Sequence, residues 1–260
     1  MIPIRDNIPS RGRPYVNYLL ILACGVVFLI QLSQPGAQGE LFVERYGMIP
    51  ARISHPGRAL VLREEVLVNT PQGPRRAIRE REVPPLPFSP WWTLLTSQFL
   101  HGGWLHILGN LWFLYIFGDN VEDRFGHWLY LAVYLGSGVL AGSAHLLMNW
   151  GSGMPTIGAS GAIAGIMGAY FLLYPRAQVV TILPIIIFFP IIVVPAPLFL
   201  GVWFLFQFLS GTSADVSNEG VAWWAHVGGF AAGLSAAWLL KKWERAHPVP
   251  ELIIPGRRTL

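Results

Sequence analysis

A serine and a histidine in two apolar segments are the residues best suited to chemistry in this sequence. Ser160 stands in the run Gly-Ala-Ser-Gly at 158–161, and His226 precedes Gly228 and Gly229. A neutral imidazole can remove the proton of a serine hydroxyl, which then attacks a carbonyl carbon and forms an acyl-enzyme. If the fold brings the two side chains together, they can carry out hydrolysis by nucleophilic catalysis.

Two more polar residues could stabilise the negative charge that such an attack creates. His106 and Asn110 are four positions apart and therefore share one face of a helix. Both side chains can donate hydrogen bonds, as an oxyanion site requires. The apolar segments contain no carboxylate, and the nearby Asp215 and Glu219 fall in a loop. A Ser–His dyad without an acidic third member is therefore the simplest interpretation.

The same residues also fit a purely structural interpretation. Ser160 and Gly161 belong to a small-residue pattern of the kind by which membrane helices pack closely. His226 could make a structural hydrogen bond at a helix end, and His106 and Asn110 could bond to a neighbouring helix. Both interpretations stay open at this level, because position in the sequence does not show which groups meet.

The segments that hold these residues are apolar enough to lie in a membrane. Hydrophobic residues make up 53% of the 260-residue chain and charged residues only 12%, against about 25% charged in a typical soluble domain. A helix needs roughly 20 residues to cross about 30 Å of hydrocarbon. Long charge-free stretches predict six membrane spans, at 15–32, about 103–118, about 127–149, about 160–174, about 197–210 and about 223–243.

Basic residues between the spans predict how the chain crosses the bilayer. Lys and Arg occur at the two chain ends and in the turns after spans two and four, whereas the loops 149–157 and 211–222 contain neither. By the positive-inside rule, both termini are cytosolic. Spans two, four and six then run from outside to inside, so the four polar residues lie at a similar depth on the extracytoplasmic side.

The fourth span is short, which places its first residue below the membrane surface. From Ser160 to Tyr174 a helix measures roughly 22 Å at about 1.5 Å per residue, which is less than the hydrocarbon thickness of about 30 Å. Irregular backbone before Ser160 is tolerated there only against protein or a water-filled cavity. A serine in this position would lie in a water-filled cavity at a helix N-terminus, where free backbone amides can stabilise an oxyanion.

The remaining segments are predicted to be accessory. The loop at 35–90 is long and charged, with a predicted hairpin strand at 59–69, and the proline-rich run 179–195 is predicted to be a loop.

The net charge of +4 comes from basic residues beside the spans, which argues against a nucleic-acid partner. The single cysteine, Cys24, excludes a disulfide within the chain.

Four segments, taken in order, resemble the rhomboid family. The segment 92–110 is similar to the signature of the family's second span, and 117–124 is similar to the turn that follows it. The segment 158–161 resembles the family's Gly-x-Ser-Gly nucleophile motif, and 225–229 resembles its base motif on the last core span. The resemblance extends over about 91–240, and it rests on the order of the motifs and not on any one of them.

This resemblance implies an all-α membrane protein, namely a rhomboid bundle of six transmembrane helices with a long loop between helices 1 and 2. The chain then divides into three parts. Residues 1–14 are a cytosolic N-terminal tail, residues 15–243 are the membrane domain with its extended first loop at 35–90, and residues 244–260 are a cytosolic C-terminal tail. The family's chemistry implies neither a cofactor nor a metal.

The resemblance also assigns roles to individual residues. Ser160 would be the nucleophile and His226 the general base, with His106 and Asn110 as oxyanion donors. The family's Glu-x-Arg element corresponds here to a glutamate and an arginine that would brace the turn after the second span, Glu122 and Arg124.

The implied activity is cleavage of transmembrane segments near their extracytoplasmic end. The expected partners are single-pass or other membrane proteins as substrates, together with the lipid bilayer. The topology predicts a multi-pass protein of a bacterial plasma membrane, with its active site facing the extracytoplasmic side.

Two other functions would use the same features. A rhomboid-like protein could bind membrane clients without cleaving them, although such relatives usually lack the serine or the histidine, and both are present here. A transporter or metal permease could use histidines as metal ligands, namely His101, His106, His145 and His226. The predicted spans supply no carboxylate to accompany these histidines.

Overall fold

The computed structural model describes residues 1–70, 73–185, 187–213 and 222–247. Its strands are β1 (Ile2–Asp6), β2 (Leu60–Thr70), β3 (Gly73–Val83), β4 (Gln178–Ile182) and β5 (Ile191–Pro195). Its helices are α1 (Tyr15–Leu32), α2 (Ala37–Tyr46), α3 (Pro50–Ser54), α4 (Thr93–Thr96), α5 (Trp104–Phe125), α6 (His127–Met148), α7 (Ser160–Leu173), α8 (Ala196–Ser213) and α9 (Trp223–Ala246). Two short 3₁₀ turns flank α4, at Pro90–Trp92 and Ser97–Phe99.

Helices α1 and α5 to α9 overlap the six segments predicted from the charge-free stretches. Among the described residues, α1, α6 and α8 are both long and apolar enough to cross a bilayer, and α7 is a shorter apolar helix. The protein is therefore a mostly helical membrane protein. That all of the long helices span the bilayer stays a prediction.

The short helix α7 lies at the centre of the bundle. Every residue from Gly161 through Tyr170 is buried, and α7 packs against α5, α6, α8 and α9. Its 14 residues agree with the short fourth span that the sequence predicts. Because α7 is enclosed along most of its length, the position of its first residue, Ser160, is fixed by the neighbouring helices.

The prediction of an all-α protein is wrong, because two β-sheets accompany the helices. The run 179–195, predicted to be a loop, forms the antiparallel pair β4 and β5, and β4 also pairs with β1 in the predicted N-terminal tail. The β-branched Val and Ile residues of this run favour strands. Its prolines lie in the turn or at a strand end, where proline is compatible with a sheet.

Polar contacts fasten the N-terminal strand to the bundle. The carboxylate of Asp6 accepts hydrogen bonds from the hydroxyl of Tyr170 at 2.5 Å and from Nδ2 of Asn120 at 2.9 Å. The indole of Trp112 donates to the carbonyl oxygen of Pro3 at 2.7 Å. Burial raises the pKa of Asp6, and the hydrogen bond from Tyr170 opposes that shift. β1 is therefore part of the packed structure and not a free tail.

The long first loop also contains regular structure. β2 and β3 pair antiparallel along their whole length, and β2 corresponds to the strand predicted at 59–69. Glu44 of α2, which is buried, forms an ion pair with Arg81 of β3. This ion pair attaches the hairpin to α2, the helix that follows α1 in the chain.

The turn after α5 is held by a buried carboxylate. Glu122 is 1% exposed, and its two oxygens accept hydrogen bonds from the amides of Val16 at 3.0 Å and Asn17 at 2.7 Å. These amides belong to the first turn of α1, where a negative charge is favourable. Arg124 pairs instead with Glu244 of α9, near the surface. The glutamate therefore caps α1 from another helix, and the arginine ties α5 to α9.

Replacing Glu122 with alanine should lower the free energy of unfolding by about 2 kcal/mol, since the buried amide of Asn17, the half-buried amide of Val16 and the ring of His127 lose a hydrogen-bond partner. The measurement is unfolding of the detergent-purified protein with sodium dodecyl sulfate, followed by tryptophan fluorescence. The matched control is Glu244→Ala, which removes a carboxylate from a partly exposed pair and should cost less than about 1 kcal/mol. Equal losses for the two variants would refute the capping role of Glu122.

Candidate active site

The first residue of α7 and the fourth residue of α9 are in hydrogen-bond contact. Nε2 of His226 lies 2.7 Å from Oγ of Ser160. The pair is formed by residues 66 positions apart, and the imidazole of His226 is almost fully enclosed at 8% exposure. At this distance the ring nitrogen can take the hydroxyl proton directly.

Glycines on both helices make this contact possible. A methyl group at Gly229 would overlap the carbonyl oxygen of Gly161, and one at Gly233 would overlap that of Gly165. The backbones of α7 and α9 therefore touch over more than one turn, as in small-residue packing of membrane helices. The glycine faces of the two helices meet, and this contact brings the serine to the histidine.

The start of α7 leaves backbone amides near the serine. The first hydrogen bond of the helix runs from the amide of Ile163 to the carbonyl of Ala159 at 2.9 Å. The amides of Ser160 and of the next two residues therefore have no acceptor within the helix. The amide of Gly158 is already used, because it donates to the carbonyl of Ser97 at 2.9 Å. Amides of the first turn, and not that of Gly158, are the ones placed to meet a negative charge.

His106 directs a proton toward the segment before the serine. Its Nδ1 accepts a hydrogen bond from the amide of Gly102 at 3.2 Å, so in the neutral ring the proton is on Nε2. A methyl group at Gly158 would come within 2.7 Å of that Nε2. Gly158 has a φ of +126°, a conformation that side chains rarely adopt. Glycine is thus required at 158 both by the backbone and by the neighbouring imidazole.

Asn110 offers a donor without a partner. The residue is 9% exposed, and in the part of the chain that the structure describes its Nδ2 has no hydrogen-bond acceptor. A buried amide group left unpaired costs about 1–3 kcal/mol. An acceptor entering beside Asn110 would recover that cost.

These groups share one open cavity of about 290 Å³. It lies where α5, α7, α8 and α9 meet, and both polar and apolar side chains line it. The residues that line it are Leu105, His106, Gly109, Asn110, Phe113, Ser160, Ile163, Met167, Trp203, Gln207, Trp223 and His226. The structure therefore brings all four predicted site residues to one cavity.

A family model described as the rhomboid domain matches residues 89–243, which is more than half of the chain. The protein belongs to the rhomboid family. The chain is 30% identical over 175 residues to "Rhomboid-like protein 11, chloroplastic" of Arabidopsis thaliana, a match that covers 61% of this chain and 56% of the relative. It is 36% identical over 80 residues to "Putative rhomboid protease YdcA" of Bacillus subtilis, covering 31% of this chain and 40% of the relative.

A third rhomboid relative is "Rhomboid protease GluP" of Bacillus subtilis, which is 39% identical over 79 residues. That match covers 30% of this chain and 15% of the relative. The chain therefore spans about half or less of the length of these relatives. The match to the family model establishes the family, and its range, 89–243, includes Ser160 and His226.

Two residues of α8 hold the rhomboid histidine, and neither was predicted from the sequence. Oε1 of Gln207 lies 2.6 Å from Nδ1 of His226, and Gln207 is 7% exposed. The ring of Trp203 lies 5.8 Å from that of His226, centroid to centroid. A polar amide within the apolar run 196–213 is the signal that could have pointed to Gln207, since polar residues in membrane segments often mark function.

The first loop supports the segment that leads to the serine. The amide of Met48 donates to the carbonyl of Thr156 at 3.0 Å, and the amide of Thr156 donates back to Met48 at 2.8 Å. The amide of Ala51 donates to the carbonyl of Ser152 at 2.8 Å. The residues between α2 and α3 thus form a short β-bridge with the irregular backbone that precedes Ser160.

The other candidate residues do not join the cavity. His101 is fully buried beside His106, with the ring centroids 5.2 Å apart, and His145 contacts Asn149 at the end of α6. Among the described residues, no three His, Cys, Asp or Glu side chains are grouped as metal ligands would be. The acidic residues weighed as a third member, Asp215 and Glu219, lie outside the described residues.

Replacing Gly229 with alanine should reduce the rate of any reaction that uses Ser160 and His226 by at least about 100-fold. The added methyl must push α9 away from α7, and a displacement of about 1 Å at a catalytic group costs on that order. The measurement is the initial rate in detergent at matched protein concentration. The control is Gly136→Ala on α6, where an added methyl meets nothing within 4 Å and should leave the rate unchanged. Full activity of the Gly229 variant would contradict the backbone-contact account.

Proposed function

We propose that this rhomboid-family chain is an intramembrane serine endopeptidase that cleaves membrane proteins near the extracytoplasmic end of a transmembrane segment. The observation that carries the proposal is the 2.7 Å contact between Ser160 Oγ and His226 Nε2 inside a cavity that also holds two hydrogen-bond donors. The names of two Bacillus subtilis relatives, "Putative rhomboid protease YdcA" and "Rhomboid protease GluP", support the same reaction class.

The reaction begins with proton removal. His226 takes the proton of Ser160 as Oγ attacks the carbonyl carbon of the scissile peptide bond. The histidine then gives that proton to the leaving amine, which departs with the C-terminal part of the substrate. A water molecule, deprotonated by His226, hydrolyses the acyl-enzyme and restores both residues.

The negative charge of the tetrahedral intermediate would be met by fixed donors. The donors we assign to this role are Nε2–H of His106 and Nδ2–H of Asn110, which line the same cavity as Ser160, and the amides at the start of α7. Donors that are already oriented stabilise charge in a low-dielectric site more strongly than in water. The unpaired Nδ2 of Asn110 supports this role, since it gains a partner only when an acceptor is present.

A substrate helix must unwind to expose its peptide bond to the serine. Within hydrocarbon the freed backbone groups would lack partners, so the cut must take place in a polar cavity. The open cavity above α7 and the short length of that helix provide such a place. We propose that residues 15–243 form the membrane domain, that both termini are cytosolic, and that the membrane is a bacterial plasma membrane.

The proposal predicts that Ser160→Ala and His226→Ala each abolish cleavage of a model transmembrane substrate by detergent-purified protein. The nucleophile or its base is lost in each case, and the residual rate should be indistinguishable from that without enzyme. A chelator should leave the wild-type rate unchanged. Cleavage by either variant would refute the dyad. Failure of folded wild-type protein to cut a panel of membrane substrates would favour client binding without proteolysis.

Replacing Asn110 with alanine should lower kcat by about 10²- to 10³-fold, the usual effect of losing one oxyanion donor. The Michaelis constant should change little, because the donor acts on charge that develops after binding. The matched control is Leu108→Ala on the same helix, at a position that is 57% exposed and outside the cavity lining. An unchanged kcat for Asn110→Ala would remove Asn110 from the oxyanion site.

A further inference from the structure

The base of the dyad is held from a third helix. His226 extends from α9 toward Ser160 on α7, and its far ring nitrogen, Nδ1, meets Oε1 of Gln207 on α8 at 2.6 Å. The indole of Trp203, one turn earlier on α8, lies beside the same imidazole. Gln207 and His226 are both buried, at 7% and 8% exposure, so solvent does not compete freely for this hydrogen bond.

The chemistry of the amide determines which nitrogen of His226 carries the proton. An amide oxygen accepts hydrogen bonds and cannot donate them, so Nδ1 must be the donor. In the neutral ring Nε2 then has a lone pair, which faces the hydroxyl of Ser160. The opposite tautomer would place a proton on Nε2 and could not accept one from the serine. The hydrogen bond to Gln207 therefore selects the tautomer that acts as a base.

We propose that Gln207 is a positioning residue of the active site, which takes the place that a carboxylate occupies in a Ser–His–Asp triad. This inference rests on the proposed protease function. A neutral amide suits the site because a buried carboxylate would carry a large desolvation penalty between apolar helices. Gln207 orients the ring of His226 and selects its tautomer. Its amide dipole stabilises the imidazolium that forms during the reaction, although it carries no full negative charge.

The kinetic test compares two substitutions of Gln207. Gln207→Met keeps the length of the side chain but has no strong acceptor, and it should lower kcat by about 10- to 100-fold, as loss of a histidine's orienting partner commonly does. Gln207→Glu keeps the same reach, and its carboxyl group, which burial favours in the neutral form, still offers a carbonyl oxygen to Nδ1, so kcat should stay within several-fold of wild type. The Michaelis constant should be unaffected in both. The control is Thr212→Val, an exposed position of the same helix.

The second readout does not depend on proteolysis. In protein labelled with ¹⁵N-histidine, the signals of the His226 ring, assigned by their loss in His226→Gln, report which nitrogen is protonated. Wild type and Gln207→Glu should show the proton on Nδ1, and Gln207→Met should show a mixture of the two tautomers. This measurement stands even if the wild-type protein cleaves nothing, so failure of the positioning role and failure of the protease function are distinguishable.

Three outcomes would overturn the role of Gln207. The first is a wild-type spectrum in which Nε2 of His226 carries the proton. The second is a Gln207→Met variant whose tautomer and kcat match those of wild type. The third is an equal fall of kcat in Gln207→Met and Gln207→Glu, with the tautomer unchanged in both. That last result would assign Gln207 a role in packing alone.

Discussion

The contact between the backbones of α7 and α9 is the constraint on which the rest of the site depends. In a bilayer, lipid is as apolar as the helix surfaces, so close packing of small residues and hydrogen bonds between helices must supply the association. Glycines at 161, 165, 229 and 233 allow carbonyl oxygens and Cα atoms to touch. A larger residue at Gly229 or Gly233 would overlap the backbone of α7 and would therefore separate Ser160 from His226.

Around this contact, each polar group of the site is positioned by a different part of the chain. The bridge between Met48 and Thr156 fixes the irregular backbone before α7, so the polar first loop contributes to the site without entering it. Glu122 fixes the start of α1, and α8 fixes the far side of the imidazole. Among the described residues, the buried Nδ2 of Asn110 in the cavity beside the serine has no hydrogen-bond partner, so it is free to meet an oxyanion.

Physical patterns within single segments allowed much of this arrangement to be predicted. Charge-free stretches located the long helices, and the resemblance of the segments around Ser160 and His226 to two family motifs implied that these residues act together. The sheet was missed because β1 and β4 are separated by more than 170 residues, and neither strand shows its partner in its own sequence. Gln207 was missed for a similar reason. A single amide in an apolar helix forms no spacing pattern, and the role of Gln207 follows only from its contact with His226 on another helix.

The central claim is that Ser160 is a nucleophile activated by His226, and reaction with a fluorophosphonate tests it most directly. The reagent forms a covalent bond only with an activated serine, and mass spectrometry of the labelled protein locates the adduct. The account predicts one adduct, on Ser160, and almost none in folded His226→Ala protein. Absence of an adduct on Ser160 in folded wild-type protein, or equal labelling in the His226 variant, would contradict it.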